Sequence, residues 1–318
     1  MSSFIRPLVE TLEDRLCLSA SSSMLNVMVQ GHAIKITGND EWNFVQVVQD
    51  DTNDTIKVVY GQLPHNATLA NLVVNTKTFK SSSITSITVD LGNGNDNFEY
   101  TLAQDSDLVY SKNLSVSTGD GDDSVTINTA GYASESAIGT IVMPTINAAS
   151  GIMTADGEFI SIPALQDGGI ASVHSPVINS AFNVTLDTGL GNDSVCVSLG
   201  AVRTGLKIGL TVDLGDGQDQ FWLCNYGTIS KNATVTINVT GNTGKDAINV
   251  GSYGDVLGTL SLNAKGGTED DTIYVELAGL QNGKTTLAID TGAGDDFVTV
   301  NDLTSPLSTG SLLVSPIR

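Results

Sequence analysis

Residues 210–223, LTVDLGDGQDQFWL, hold the pattern that most constrains this chain: alternating apolar residues, a glycine turn closed by aspartate, and alternating apolar residues again. Leu210 and Val212 precede the turn, and Phe221 and Leu223 come after it. A period of two marks a strand with one buried face. Gly215 and Gly217 permit backbone angles that a Cβ disfavours, and the short carboxylate of Asp219 can accept nearby backbone N–H groups.

The pattern repeats. Aligned on the aspartate, the copies are ITVDLGNGNDNFEY at Asp96, LSVSTGDGDDSVTI at Asp123, VTLDTGLGNDSVCV at Asp193, INVTGNTGKDAINV at Asp246 and LAIDTGAGDDFVTV at Asp296. LSLNAKGGTEDDTIYV, at Asp271, reads as a copy with a two-residue insertion, and IKITGNDEWNFVQV is a worn copy with Asn43 in the aspartate place. Nine and seven residues before the anchor, and two and four after it, every uninserted copy is apolar.

The anchors step by 53, 27, 70, 26, 27, 25 and 25 residues. A unit of about 26 residues is too short for a four-stranded propeller blade but fits one rung of a solenoid. The expected fold is all-β, a right-handed parallel β-helix over residues 24–303, with strands stacked ~4.8 Å apart and the four apolar columns inside. The alternative is a β-sandwich in which each glycine turn is a hairpin. The step of 53 reads as two units with a degenerate copy between them, giving ten or so rungs in all. Residues 128–183, without a turn motif, read as degenerate rungs or an insertion, and residues 304–318 as a C-terminal tail or cap.

The formal net charge is −21, from 35 acids and 14 bases, which disfavours nucleic acid and anionic membranes and favours divalent cations. The sequence has no apolar run long enough to span a membrane as a helix. Cys196 and Cys224 lie three and five residues past their anchors, so stacking sets them two residues apart along the strand, roughly 8 Å and too far for a disulfide.

Residues 1–23, MSSFIRPLVETLEDRLCLSASSS, differ from the repeats in composition and pattern and read as a short amphipathic segment with a serine linker. The run RPLVETLEDRLCLSA resembles the LEPR-type N-terminal segment of exported or surface proteins of planctomycete bacteria, with Asp14 where that pattern has proline. The resemblance implies export, and with it an extracellular or cell-surface location.

The glycine–aspartate turn with alternating apolar residues after it resembles the calcium-binding nonapeptide of repeats-in-toxin proteins. In that family glycine-turn carbonyls and the aspartate hold calcium between neighbouring turns. The matching positions are Asp96, Asp123, Asp193, Asp219, Asp246, Asp271 and Asp296, which the resemblance makes metal ligands and calcium the implied cofactor. Here the motif comes once per rung instead of every nine residues, Asn242 replaces a glycine, and Lys245 adjoins Asp246. The same aspartates also read as plain turn formers, since carboxylates ~4.8 Å apart repel by only about 1 kcal/mol in water and about 3–4 at an effective dielectric near 20. Exposed turns would lie near the first figure.

His32, His65 and His174 form no catalytic or metal-ligand spacing. With the export that the N-terminal resemblance implies, the expected function is that of a non-catalytic, exported repeat protein with a surface, matrix or adhesive role, whose partners are divalent cations and cell-surface or matrix polysaccharide or protein. The alternative is a polysaccharide lyase or epimerase with its site near Arg203, Lys207 or residues 128–183.

Overall fold

The computed structural model describes residues 24–63, 73–104, 108–131 and 180–314. The N-terminal segment, His65, His174 and most of the 128–183 excursion lie outside the described residues.

Period-two alternation produces strands throughout, in two ten-stranded sheets. The first sheet begins with β1 (Asn26–Gln30) and β2 (Ala33–Thr37), then β6 (Ser86–Asp90), β8 (Lys112–Ser117), β10 (Ala181–Asp187) and β12 (Lys207–Asp213). It ends with β14 (Thr234–Thr243), β16 (Thr259–Thr268), β18 (Lys284–Ala293) and β20 (Ser311–Val314). The second begins, in chain order, with β3 (Trp42–Asp50), β4 (Thr55–Leu63), β5 (Val73–Lys80), β7 (Asn97–Leu102) and β9 (Ser124–Asn128). It continues through β11 (Ser194–Leu199), β13 (Gln220–Asn225), β15 (Ala247–Ser252), β17 (Thr272–Leu277) and β19 (Phe297–Asp302).

From β2 to β18, each strand of the first sheet leads through a turn into a strand of the second, and successive rungs pair in parallel. This is a β-solenoid of about seven turns with rungs of about 27 residues. The glycine turns therefore join two sheets, and the hairpin sandwich does not form. A short third column of parallel bridges, Val202, Ile229, Val256 and Gln281, closes the return path.

The register aligns the apolar columns. Val184, Leu210, Ile237, Leu262 and Leu287 stack in one, and Val195, Phe221, Ile248, Ile273 and Val298 in another. All but Val298 are buried, and a fully buried side chain of this kind contributes about 1.5–3 kcal/mol.

The strand pairing revises the reading of the Asp271 copy, of the 53-residue step and of the number of rungs. Ile237 pairs with Leu262 and Val239 with Ala264, so the Asp271 copy has no insertion; Ala264 fills the seventh place before the anchor. The 53-residue step contains no second rung, because β3 pairs directly with β7 and β2 with β6. Its extra residues instead form β4 and β5, which extend the second sheet in antiparallel fashion. β10 pairs directly with β8 and β11 with β9, so the strands on either side of the 70-residue step are neighbours in both sheets. The described residues thus make about seven turns, fewer than the ten or so expected. Beyond 303, in the stretch that reads as a tail or cap, β20 pairs in parallel with β18.

The antiparallel strands β1, β4 and β5 cover the start of the rod, and β5 brings Lys77 and Lys80 to its exposed edge. Charge on an edge strand discourages further strand addition. Buried Asp51 ties this cover down: its Oδ2 accepts the Gln49 side-chain amide at 2.9 Å and the Val109 N–H at 2.8 Å.

Candidate functional site

The glycine turns bring the seven predicted aspartates into one file along an edge of the solenoid. Each carboxylate reaches one rung back. Asp96 Oδ1 accepts the Asn43 N–H at 2.7 Å, Asp123 that of Asp96 at 2.7 Å, and Asp193 that of Asp123 at 2.8 Å. Asp219, Asp246, Asp271 and Asp296 continue the ladder at 2.8, 2.9, 2.9 and 3.0 Å.

The turns stack so tightly that side chains are excluded. A Cβ on Gly215, whose φ is +83°, would fall 1.8 Å from the Gly189 carbonyl oxygen one rung away. Where glycine is replaced, the backbone conformation persists: Asn242 has φ +77° and Glu269 φ +70°. Asparagine tolerates that region better than most residues, and Glu269 is held by bonds to the Thr268 hydroxyl and the Gly244 N–H.

The anchors do not lie on exposed turns. Asp96, Asp123, Asp193, Asp219, Asp246 and Asp271 are 1–3 % exposed. The outer residues Asp120, Asp122, Asp216, Asp270 and Asp295 face solvent instead, where Asp270 pairs with Lys245 at 2.6 Å. Burial pushes the carboxyl pKa of Asp96, Asp123, Asp193, Asp219 and Asp246 up to about 7, and that of Asp271 to about 6. The Oδ1 hydrogen bonds from backbone N–H groups work against this rise without cancelling it.

The second oxygen is the notable one. Oδ2 of each of these six aspartates is buried and has no hydrogen-bond partner. Thr118 and Thr188 lie beside Asp123 and Asp193, but their hydroxyls point to the carbonyls of Thr188 and Leu214. Leaving such an atom unpaired costs about 1–3 kcal/mol, more when it is charged.

Asn43, at the head of the file, indicates what that place accepts. Its Nδ2 stands where the aspartates carry Oδ2, and it faces the carbonyl oxygens of Asn39, Glu41 and Leu91 at 3.0, 2.8 and 3.1 Å. It also lies 3.1 Å from Asp96 Oδ1. By the repeat register, the equivalent carbonyls for Asp96 belong to Gly92, Gly94 and Thr118. By this register each Oδ2 takes the place that Asn43 Nδ2 fills among carbonyl oxygens, and a donor or a cation is the complement to such a set.

The donors are all oxygen and mostly backbone carbonyl, the chemistry of a calcium site. Each gap between consecutive anchors offers two carboxylates and a turn's carbonyls, so the residues fit that ion. Among the described residues no three His, Cys, Asp or Glu side chains converge as a metal cluster, so backbone would supply the remainder. Spacing alone locates the aspartates but not their burial, and it makes Asn43 a worn anchor where its amide in fact fills the place.

The other candidates lie away from the aspartate file in sequence or outside the described residues. Lys207 opens β12 on its exposed side and Arg203 lies in the preceding turn. The register sets Cys196 beside Trp222 and Cys224 beside Ser198, the two-residue offset expected from their spacing. No helix among the described residues is long and apolar enough to cross a membrane. Comparison with family models, with curated proteins and with solved structures finds no match to this chain.

Proposed function

We propose that this chain is a non-catalytic, exported repeat protein that works at a cell surface or in an extracellular matrix, with calcium bound along its aspartate file. The observation that carries the calcium reading is the row of buried, unpartnered Oδ2 atoms at the place where Asn43 sets an amide. The likeness of the turns to the repeats-in-toxin nonapeptide supports the same ion, and the LEPR-like start supports export.

The carboxylates of Asp96, Asp123, Asp193, Asp219, Asp246, Asp271 and Asp296, with the glycine-turn carbonyls, would hold the metal. Bound calcium supplies positive charge to a file whose carboxylates burial otherwise discourages from ionising. The chain's own part is to stack the turns, to orient each Oδ1 onto the next backbone N–H and to exclude water. Because each rung contacts only its neighbours, a file of ions would stiffen the rod along its length. Such a rod suits a load-bearing or adhesive role.

Equilibrium dialysis against calcium tests this reading. The seven aspartates leave six gaps between them, so uptake of up to that number of ions per chain is expected, with less uptake when Asp219 is replaced by alanine. Absence of calcium uptake at millimolar concentration would leave the aspartates as turn formers only.

A further inference from the structure

The outward face of the second sheet carries an unusual concentration of aromatic side chains. Trp222 on β13 and Tyr274 on β17 point outward on either side of Asn249 on β15, in one row of register partners. Tyr226 and Tyr253, each just beyond its strand, stack on one another with ring centres 5.6 Å apart and planes 19° apart. The Tyr253 ring lies down on the sheet: a Cβ on Gly251 would meet it at 2.6 Å. Trp222, Asn249, Tyr253 and Tyr274 line one shallow cleft. One of the chain's two tryptophans and three of its seven tyrosines therefore gather on three consecutive rungs.

The polar groups of this face are arranged to accept hydrogen bonds. The Tyr274 hydroxyl donates to Glu276 Oε2 at 2.6 Å and accepts the Asn301 amide at 2.9 Å. The Tyr253 hydroxyl also interacts with Glu276, and that of Tyr226 with Cys224. With these phenols already engaged, the side-chain carbonyls of Asn249 and Asn301 face a ligand, and the Glu276 carboxylate, which takes the Tyr274 hydroxyl on Oε2, has further lone pairs to accept from one. A ligand with flat apolar faces and many hydroxyl donors complements such a surface, since rings present apolar area with a polar edge. A proline-rich peptide offers carbonyl acceptors and would need the phenolic donors. The net charge of −21 disfavours a polyanion.

We infer that the Trp222–Tyr253–Tyr274 face is a binding site for an uncharged polysaccharide, its sugar rings stacked on the aromatic side chains and its hydroxyls donating to Glu276, Asn249 and Asn301. This names the ligand class behind the adhesive role proposed above, and it does not depend on the calcium file.

The test uses the full chain carrying Trp42→Phe, so that Trp222 is the sole indole; Trp42 lies at the other end of the rod, stacked on Phe44. Cellohexaose, mannohexaose and chitohexaose are titrated while Trp222 emission is recorded, with polygalacturonate and decaproline in parallel. At least one neutral hexasaccharide should shift the emission saturably, and polygalacturonate and decaproline should not. In the wild-type background, affinity electrophoresis through the matching polymer should show binding weakened by at least about tenfold in Trp222→Ala and in Tyr253→Ala. Both side chains lie outside the core, and circular dichroism verifies folding; Tyr274→Phe keeps the ring and should retain most of the binding. No response to any neutral hexasaccharide, a saturable response to decaproline, or unchanged binding by Trp222→Ala would each overturn the inference. The titration is repeated in chelator: binding that survives there, in a chain that takes up no calcium, would support this site and refute the calcium file.

Discussion

Replacing Asp219 by asparagine and by alanine separates the two roles of an anchor carboxylate. Its Oδ1 receives the Asp193 N–H at 2.8 Å, while its Oδ2 is buried without a partner. Alanine removes both oxygens and leaves a buried N–H unpaired, which costs about 1–3 kcal/mol. For a domain of this size each kcal/mol moves Tm by about 2–4 °C, so Asp219→Ala should melt roughly 2–12 °C lower. Asparagine keeps the Oδ1 acceptor and presents N–H donors to the surrounding carbonyls, as Asn43 does. At pH 8 in chelator it also avoids ionising a group whose pKa burial pushes to about 7. Asp219→Asn should therefore match or exceed the wild type in chelator, and fall below it in calcium, because the amide cannot replace a metal-binding carboxylate. Thermal denaturation gives the global answer, and hydrogen exchange at the Asp193 amide gives the local one. If Asp219→Asn melts as low as Asp219→Ala in chelator, the reasoning from Asn43 to the aspartate sites fails.

The same packing has other consequences. Gly215→Ala places a Cβ 1.8 Å from the Gly189 carbonyl at positive φ, and should destabilise by more than about 1 kcal/mol in urea. Gly209→Ala, which meets only the flexible Asn183 side chain at 3.0 Å, should change stability little. Phe221→Ala empties a fully buried place in the column between Val195 and Ile248 and should cost about 3–5 kcal/mol by the same assay. In calcium-free buffer the anchors are raised from the ordinary value of 3.8 to about 7, so the native state holds their protons more tightly than the unfolded chain. Their contribution to stability is full below pH ~3.8 and lost as pH rises through ~7. The metal-free protein should thus melt at a lower temperature at pH 8 than at pH 5, and calcium should reduce that difference.

The rung is legible in the sequence because three independent signals coincide on it. The apolar places at Leu210, Val212, Phe221 and Leu223 set the strand faces, the glycines set the turn, and Asp219 sets the register. Where one signal is lost, reading by spacing fails. Ala264 is small enough to be passed over as a core residue, and this creates the appearance of an insertion at Asp271. The long step before Asp96 reads as a hidden rung, and the one before Asp193 as degenerate rungs or an insertion, because length alone does not distinguish another rung from a detour. The pairing of β3 with β7 and of β8 with β10 does so. Burial of the anchors is not legible either, since an aspartate in a glycine turn looks exposed until neighbouring turns close over it. The aromatic face lies at outward positions of separate copies, and only stacking brings Trp222, Tyr253 and Tyr274 together.

The most direct measurement of calcium binding along the file is thermal unfolding in millimolar calcium, in chelator and in magnesium. A ligand held only by the folded state at about 100 times its Kd adds about 2.7 kcal/mol per site. A large rise in Tm is expected with calcium, a much smaller one with magnesium, and a reduced calcium effect in Asp219→Ala. Equal melting in calcium and in chelator would contradict the calcium file.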